Sequence, residues 1–163
     1  MHYNKFIVAD ASPLIGLSKI NQLDLLNKLF SEVILPEQVA KECTENLNKP
    51  GALLIYAAIK NKSLKVKIID IKKNSFSIII DAGEIAAIEL AKKLECPILL
   101  DEKQGRLVAK SYGLKVIGLG GLLVFAKERK LIKKVKPLLD ELENARYFLG
   151  KQVIAEILSL AKE

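Results

Sequence analysis

The run Phe6-Ile7-Val8-Ala9 stops on a carboxylate, Asp10, and passes at once into Ala11-Ser12-Pro13; this junction constrains the fold more than any other stretch of the chain. Consecutive apolar residues without polar alternation read as a strand buried on both faces, the pattern of a parallel sheet. Ser12-Pro13 reads as an N-cap followed by proline in the first helical position, opening a helix from Pro13 to Lys19. Ligands of open α/β sheets sit beyond the carboxyl ends of such strands, which makes Asp10 a candidate site residue. The alternative role for its carboxylate is to cap that helix.

The rest of the chain repeats the strand-then-helix rhythm. Leu14, Leu17, Ile20, Leu25, Leu26 and Leu29 recur at helical spacing up to Phe30, with a break near Asn21 that makes two short helices. Glu32-Val33-Ile34-Leu35 is a second strand, and Pro36 opens a helix to Thr44 that turns Val39 and Ala40 inward and carries Glu42. After a turn from Asn46 to Pro50 and a helix from Gly51 to Asn61, Leu64 to Ile71 is a third strand, in which Lys65 and Lys67 alternate with Val66 and Ile68. Lysine alternation is the mark of a sheet edge. Ser75 to Ile80 reads either as a strand or as the buried approach to the next helix. That helix is announced by Asp81-Ala82-Gly83-Glu84, a capping-box spacing, and its core face is Ile85, Ile88, Leu90, Ala91 and Leu94. Pro97-Ile98-Leu99-Leu100 is a fourth buried strand ending on Asp101-Glu102, followed by a helix from Lys103 to Tyr112 that Gly113 closes. Lys115-Val116-Ile117 is a short fifth strand, Gly118 to Lys130 a helix with a glycine-rich start, and Pro137 to Phe148 and Lys151 to Lys162 are two more helices. This alternation predicts an α/β fold with a parallel sheet and helices on both faces.

Composition narrows the class. The 163 residues suit one domain with its own core, and 50% hydrophobic against 28% charged residues excludes a disordered chain. No apolar run approaches a membrane span, and Met1-His2-Tyr3-Asn4-Lys5 lacks the features of a signal peptide, so the expectation is a cytoplasmic protein with no membrane partner. Cys43 and Cys96 are too few for a disulfide framework or a zinc site, and the one histidine, His2, lies in a terminus expected to fray. Any metal here would therefore be held by oxygen.

The acids suit that role. Asp10 ends the first strand, Asp101 and Glu102 end the fourth, Glu84 lies in the first turn of the preceding helix, and Glu42 on the helix after the second strand. In a right-handed parallel sheet these strand ends share one edge and meet at a topological switch. Two carboxylates about 4 Å apart repel by roughly 4 kcal/mol at an effective dielectric near 20, so such a cluster calls for a cation among them. Mg²⁺ or Mn²⁺ prefers oxygen ligands, and carboxylates with a hard metal are the apparatus of metal-assisted phosphodiester hydrolysis. Blander roles stand beside these. Glu84 closes a capping box with Asp81, Glu42 is a solvated charge, Glu102 and Arg106 form a surface pair, Ser12 caps a helix, and Cys43 packs.

Four stretches in order, Val8-Ala9-Asp10-Ala11-Ser12-Pro13-Leu14-Ile15, Leu35-Pro36-Glu37-Gln38-Val39-Ala40-Lys41-Glu42, Asp81-Ala82-Gly83-Glu84-Ile85-Ala86-Ala87-Ile88 and Leu99-Leu100-Asp101-Glu102-Lys103-Gln104-Gly105-Arg106, resemble the PIN-domain ribonucleases. The likeness is to a branch of predicted nucleic-acid-binding proteins related to the VapC-like toxins, and it covers nearly the whole chain. It implies a three-layer α/β/α PIN-like fold over residues 1–163 with a central, mainly parallel five-stranded sheet. It further implies a ribonuclease using Mg²⁺ or Mn²⁺, with Asp10, Glu42, Glu84 and Asp101 catalytic and Asp10, Glu84, Asp101 and Glu102 on the metal. RNA, a cognate antitoxin and a second copy of the chain are the partners it implies, with the helices of residues 137–163 as the dimer or partner element. Two positions depart from the pattern: Glu84 stands where most PIN nucleases have Asp, and Leu119 where this branch usually has a small hydroxyl residue.

Formal net charge is +7, and its placement is uneven: from Lys103 to Lys136 ten basic residues accompany one acid, Glu128, so the remainder of the chain is slightly negative. The expectation is a positive rim along the acids that draws in a phosphate backbone, through Ser12, Lys103, Arg106, Lys110, Lys127, Arg129, Lys130, Lys133 and Lys134. A lysine-rich solvated surface is the plainer reading. With only Tyr112 and Phe125 there to stack on bases, sequence-specific readout is not indicated. Two other classes compete with a nuclease: a non-catalytic module that binds RNA or a protein, and a phosphoacceptor domain of the response-regulator type, for which Asp10 lacks an adjacent acidic partner.

Overall fold

The computed structural model describes residues 5–71 and 79–163; His2 and the ambiguous Phe76-Ser77-Ile78 lie outside the described residues. Strand β1 (Phe6–Ala9) is followed by α1 (Ala11–Lys19) and α2 (Leu25–Leu29), then by β2 (Glu32–Pro36), α3 (Glu37–Thr44) and α4 (Ala52–Lys60). The chain continues through β3 (Leu64–Lys67), α5 (Ala82–Leu94), β4 (Ile98–Leu99), α6 (Lys103–Ser111) and β5 (Val116–Ile117). Helices α7 (Leu119–Glu128), α8 (Lys136–Asn144) and α9 (Lys151–Ala161) complete it.

The five strands form one parallel sheet in the order β3-β2-β1-β4-β5. The chain winds outward from β1 in one direction, then returns to its other side with β4, so the switch point lies between β1 and β4, where Val8 pairs with Ile98 and Ala9 with Leu99. Ile7, Val8, Ala9, Ile98, Leu99 and Leu100 are fully buried, as the unbroken apolar runs require. Helices cover both faces, giving three α/β/α layers. Among the described residues no helix is long and apolar enough to cross a membrane.

Two local expectations are corrected. Helix α1 begins at Ala11 rather than Pro13, so Asp10 and not Ser12 holds the N-cap position, with extended backbone (φ −84°, ψ 167°) and no side-chain capping bond. Pro13 fits because the first turn of a helix leaves its N–H groups without internal partners, and a missing donor there costs nothing. Strand β3 stops at Lys67, though it is the edge strand its lysines announce. The expected break between α1 and α2 does fall at Asn21, at φ +55°.

Two contacts fasten the C-terminal half. Glu163 accepts from Lys127 Nζ at 2.7 Å, from the Val135 N–H at 2.7 Å and from the Lys136 N–H at 3.0 Å, tying α7, the start of α8 and the end of α9. Gly120 of α7 lets α9 come so close that a Cβ there would overlap Cδ1 and Cγ1 of Ile157. Gly120→Ala should therefore cost about 1–3 kcal/mol, the usual penalty of overpacking, read as a lower urea midpoint. Adding Ile157→Ala should make the double variant lose less than the sum of the two single losses.

Candidate active site

Asp10 is placed by the sheet. Its N–H donates to the Leu99 carbonyl at 3.0 Å, so the first residue after β1 is stitched to the end of β4 while its side chain is buried at the carboxyl edge. Its pKa is raised to about 7, chiefly by burial and then by the charges of Glu84, Asp81 and Glu42, against a partial offset from the Ala11 N–H. Among the described residues no cation pairs with Asp10.

Glu84 arrives from α5. The capping box is formed in full: the Glu84 N–H donates to Asp81 Oδ1 at 2.8 Å, and Glu84 Oε2 accepts from the Asp81 N–H at 2.9 Å. This uses one carboxylate oxygen only. The other, Oε1, is buried with no hydrogen-bond partner, and a buried carboxylate oxygen without a donor is costly unless a cation completes it. Burial first, then neighbouring Asp81, Glu102 and Glu42, push the Glu84 carboxyl above its ordinary range.

Three glycines make room for these acids. A Cβ on Gly83 would stand 3.1 Å from Glu42 Oε2 and 3.3 Å from Asp81 Oδ1; one on Gly105 would stand 2.9 Å from Glu84 Oε1; one on Gly118 would stand 2.9 Å from Asp101 Oδ1. Glu42 is exposed on α3 and is also pushed up, by partial burial and by Asp81 and Glu45. Together with Gln38, Lys41 and Ala82 these residues border an open cleft of about 390 Å³. Asp81 is the acid that sequence reasoning read only as a cap.

Asp101 is engaged on both sides. Its Oδ1 accepts the Leu119 N–H at 2.9 Å, which satisfies an orphan donor in the first turn of α7, and its Oδ2 accepts the Tyr147 hydroxyl. Tyr147 comes from the connection between α8 and α9; burial and the neighbouring Asp101 push its phenol up, so it stays a donor. Nothing in the sequence pattern singled it out. Glu102 is exposed at the N-cap of α6. Arg106 does not pair with Glu102: its Nη1 donates to the Leu100 carbonyl at 3.2 Å beside Gly118. Ser12 is half-buried in the first turn of α1. Cys43, buried and pushed up to about 12, packs as a thiol.

The structure gathers Asp10, Glu42, Glu84, Asp101 and Glu102 at one end of the sheet, yet among the described residues no three His, Cys, Asp or Glu side chains stand close enough to hold a metal as they are. The acids share one edge of the sheet rather than one coordination sphere, Glu42 and Asp81 on the open cleft and Asp10 and Glu84 buried, a spread expected of like charges that repel.

The basic window does not form one rim along them. Lys103 and Arg106 stand at the acid end, but α6 and α7 both run back across the sheet, and the ten residues of α7 span about 15 Å. The edge-to-face contact of Phe125 with Phe30, which precedes β2, fixes the end of α7 at the opposite edge, with ring centroids 6.3 Å apart. Lys110, Arg129, Lys130, Lys133 and Lys134 thus lie away from the acids. Lys127 is bound to the Ala161 carbonyl and to Glu163, both at 2.7 Å, and its placement is structural.

The family described as DUF3368: PIN domain matches residues 6–163. The chain belongs to this PIN-domain family. Among solved structures it is similar to a PilT N-terminus domain protein from the hyperthermophilic archaeon Sulfolobus solfataricus P2, at 19% identity over 74% of this chain and 92% of that one, with a TM-score of 0.54. That likeness is one of fold. No curated protein matches the chain. PIN domains are generally nucleases that use divalent metals, and the donors here fit such an ion: they are all oxygens, one of them is buried and unpartnered, and three glycines leave space around them.

The raised pKa of Asp10 has a signed consequence in the metal-free PIN domain. Between about 4 and about 7 the folded state holds a proton that the unfolded chain has lost, so the stability lent by neutral Asp10 is present below the unfolded value and is lost as pH rises through about 7. Asp10→Asn should melt like the wild type near pH 4 and above it at pH 8, by about 2–4 kcal/mol from a shift of this size. Equal melting temperatures at pH 8 would show that the carboxylate is not desolvated.

Proposed function

We propose that this PIN domain is a divalent-metal-dependent ribonuclease, an endonuclease that hydrolyses phosphodiester bonds in RNA. The observation that carries this reading is the pair of buried acids, Asp10 and Glu84, which share one field while, among the described residues, no cation pairs with Asp10 and Glu84 Oε1 has no donor. In this reading Asp10, Glu84, Asp101 and Glu102 hold Mg²⁺ or Mn²⁺, and Glu42 on α3 completes the catalytic acids. When bound, such an ion supplies an activated water and neutralises charge developing on the phosphate. The Asp10 N–H bond to the Leu99 carbonyl sets where this ligand leaves the sheet. Lys103 and Arg106 stand where the incoming phosphate needs a counter-charge, and the outlying Arg129, Lys130, Lys133 and Lys134 hold the flanking backbone without reading bases. The resemblance to VapC-like toxins supports a further reading of the chain as the toxin of a type II pair, with a cognate antitoxin and a second copy as partners.

Asp10→Asn keeps size and fold while removing one negative ligand. A ligand present at a hundredfold excess over its dissociation constant stabilises a folded state by about 2.7 kcal/mol, so Mn²⁺ should raise the melting temperature of the wild type and not that of the variant. RNA cleavage should fall by orders of magnitude while RNA binding persists. A wild type without a Mn²⁺ shift, or a variant that cleaves as well, would make the non-catalytic binding module the better reading.

Binding itself should be salt-dependent. Reversing Lys133 and Lys134 to Glu should weaken all RNA sequences alike and lower the slope of log affinity against log salt by about 0.7 per lost contact. Unchanged affinity would leave that cluster as ordinary surface.

A further inference from the structure

The Asp101 carboxylate is gripped by donors from two places that the sequence keeps far apart, the first residue of α7 and the connection between α8 and α9. We propose that Tyr147 is a positioning residue: its hydroxyl, with the Leu119 N–H, holds the Asp101 carboxylate at the edge of the sheet that it shares with Asp10 and Glu84, so that a divalent cation taken up there meets Asp101 already oriented. This rests on the reading of the acid cleft as a metal site.

The grip is rigid on the tyrosine side. Its ring lies against α1, where a Cβ on Gly16 would stand 3.0 Å from Cδ2 and Cε2 of Tyr147 and 3.0 Å from Cδ2 of Leu119. Its N–H donates to the Leu142 carbonyl at 2.8 Å, the preceding Arg146 turns the chain at φ +61°, and Lys19 Nζ reaches the Ala145 carbonyl at 3.4 Å from α1. The hydroxyl is thus aimed by packing on both sides. A ring needed only to fill this space would do so without its oxygen, whereas here the oxygen meets the carboxylate of Asp101 just past β4. An ionised carboxylate offers about four lone-pair sites, so two donors still leave it able to bind a metal. Ligating carboxylates are commonly held by such outer partners, and losing one typically weakens metal binding 10–100-fold.

The test is Mn²⁺ affinity by titration calorimetry, with the metal-free melting temperature as the control for folding. Tyr147→Phe removes only the hydroxyl and should bind Mn²⁺ about 10–100-fold more weakly with little change in metal-free melting. The same substitution in an Asp101→Asn background should have no further effect, which a general loss of packing would not reproduce. Gly16→Ala, which presses on the ring while leaving the hydroxyl in the chain, should shift affinity in the same direction and decides the question should Tyr147→Phe not fold. Mn²⁺ binding by Tyr147→Phe that equals the wild type, exceeds it, or falls equally in both backgrounds overturns the positioning role and leaves the nuclease reading standing. A wild type that takes up no Mn²⁺ removes the metal site itself, and this role with it.

Discussion

A single backbone bond, from the Asp10 N–H to the Leu99 carbonyl at 3.0 Å, carries the β1–β4 pairing past the last strand residues and into the site. Everything functional is arranged around that switch. The two strands are buried on both faces, so their register is set by packing, and a slip of one residue would turn Val8 and Ile98 onto the wrong faces. With the register fixed, Asp10 and Asp101 leave neighbouring strands at the same edge, and α5, which packs on β1 and β2, delivers Glu84 to the same place. Carboxylates are therefore brought together by the hydrophobic core, against their own repulsion.

That repulsion explains why the acids stand apart along the edge and why each is answered differently. Asp10 is answered by a raised pKa, Asp101 by two protein donors, and Glu84 by half a capping box. The capping and functional roles of Glu84 coexist because a carboxylate has two oxygens: Oε2 closes the helix start, and Oε1 is left for something the polypeptide does not provide. A glutamate can do both where the shorter aspartate could not reach back to the Asp81 N–H and forward to Gly105 at once.

Much of this was legible in the sequence because it follows from local rules. Unbroken apolar runs gave the inner strands, lysine alternation gave the β3 edge, and strand-end and capping-box positions gave Asp10 and Glu84. What was not legible depends on distance in space. Ser12-Pro13 is a strong local N-cap signal, but the pairing of Asp10 with β4 starts the helix two residues earlier, at Ala11. The basic window looked continuous because consecutive charges are adjacent in sequence; two helices running back across the sheet divide it, and Glu163 claims Lys127. Tyr147 had no signal at all, since a lone tyrosine between two helices acquires meaning only from the carboxylate it reaches.

The same spatial argument gives the C-terminal helices a place within the fold itself. On sequence alone α8 and α9 look appended to a finished α/β sheet, free to serve a partner. Yet α9 packs on α7 through the space that Gly120 leaves for Ile157, and Glu163 binds both α7 and the start of α8. Helix α7 in turn presents the Leu119 N–H, and the α8–α9 connection presents the Tyr147 hydroxyl, to opposite oxygens of Asp101. A carboxylate at a strand end has a free torsion and would otherwise choose among rotamers, with an entropic cost whenever a ligand demanded one of them. By fastening α7, α8 and α9 to one another, the C-terminal half meets that cost during folding. The helices thereby belong to the acid site as much as the sheet does, and their packing and the orientation of Asp101 are one structural property.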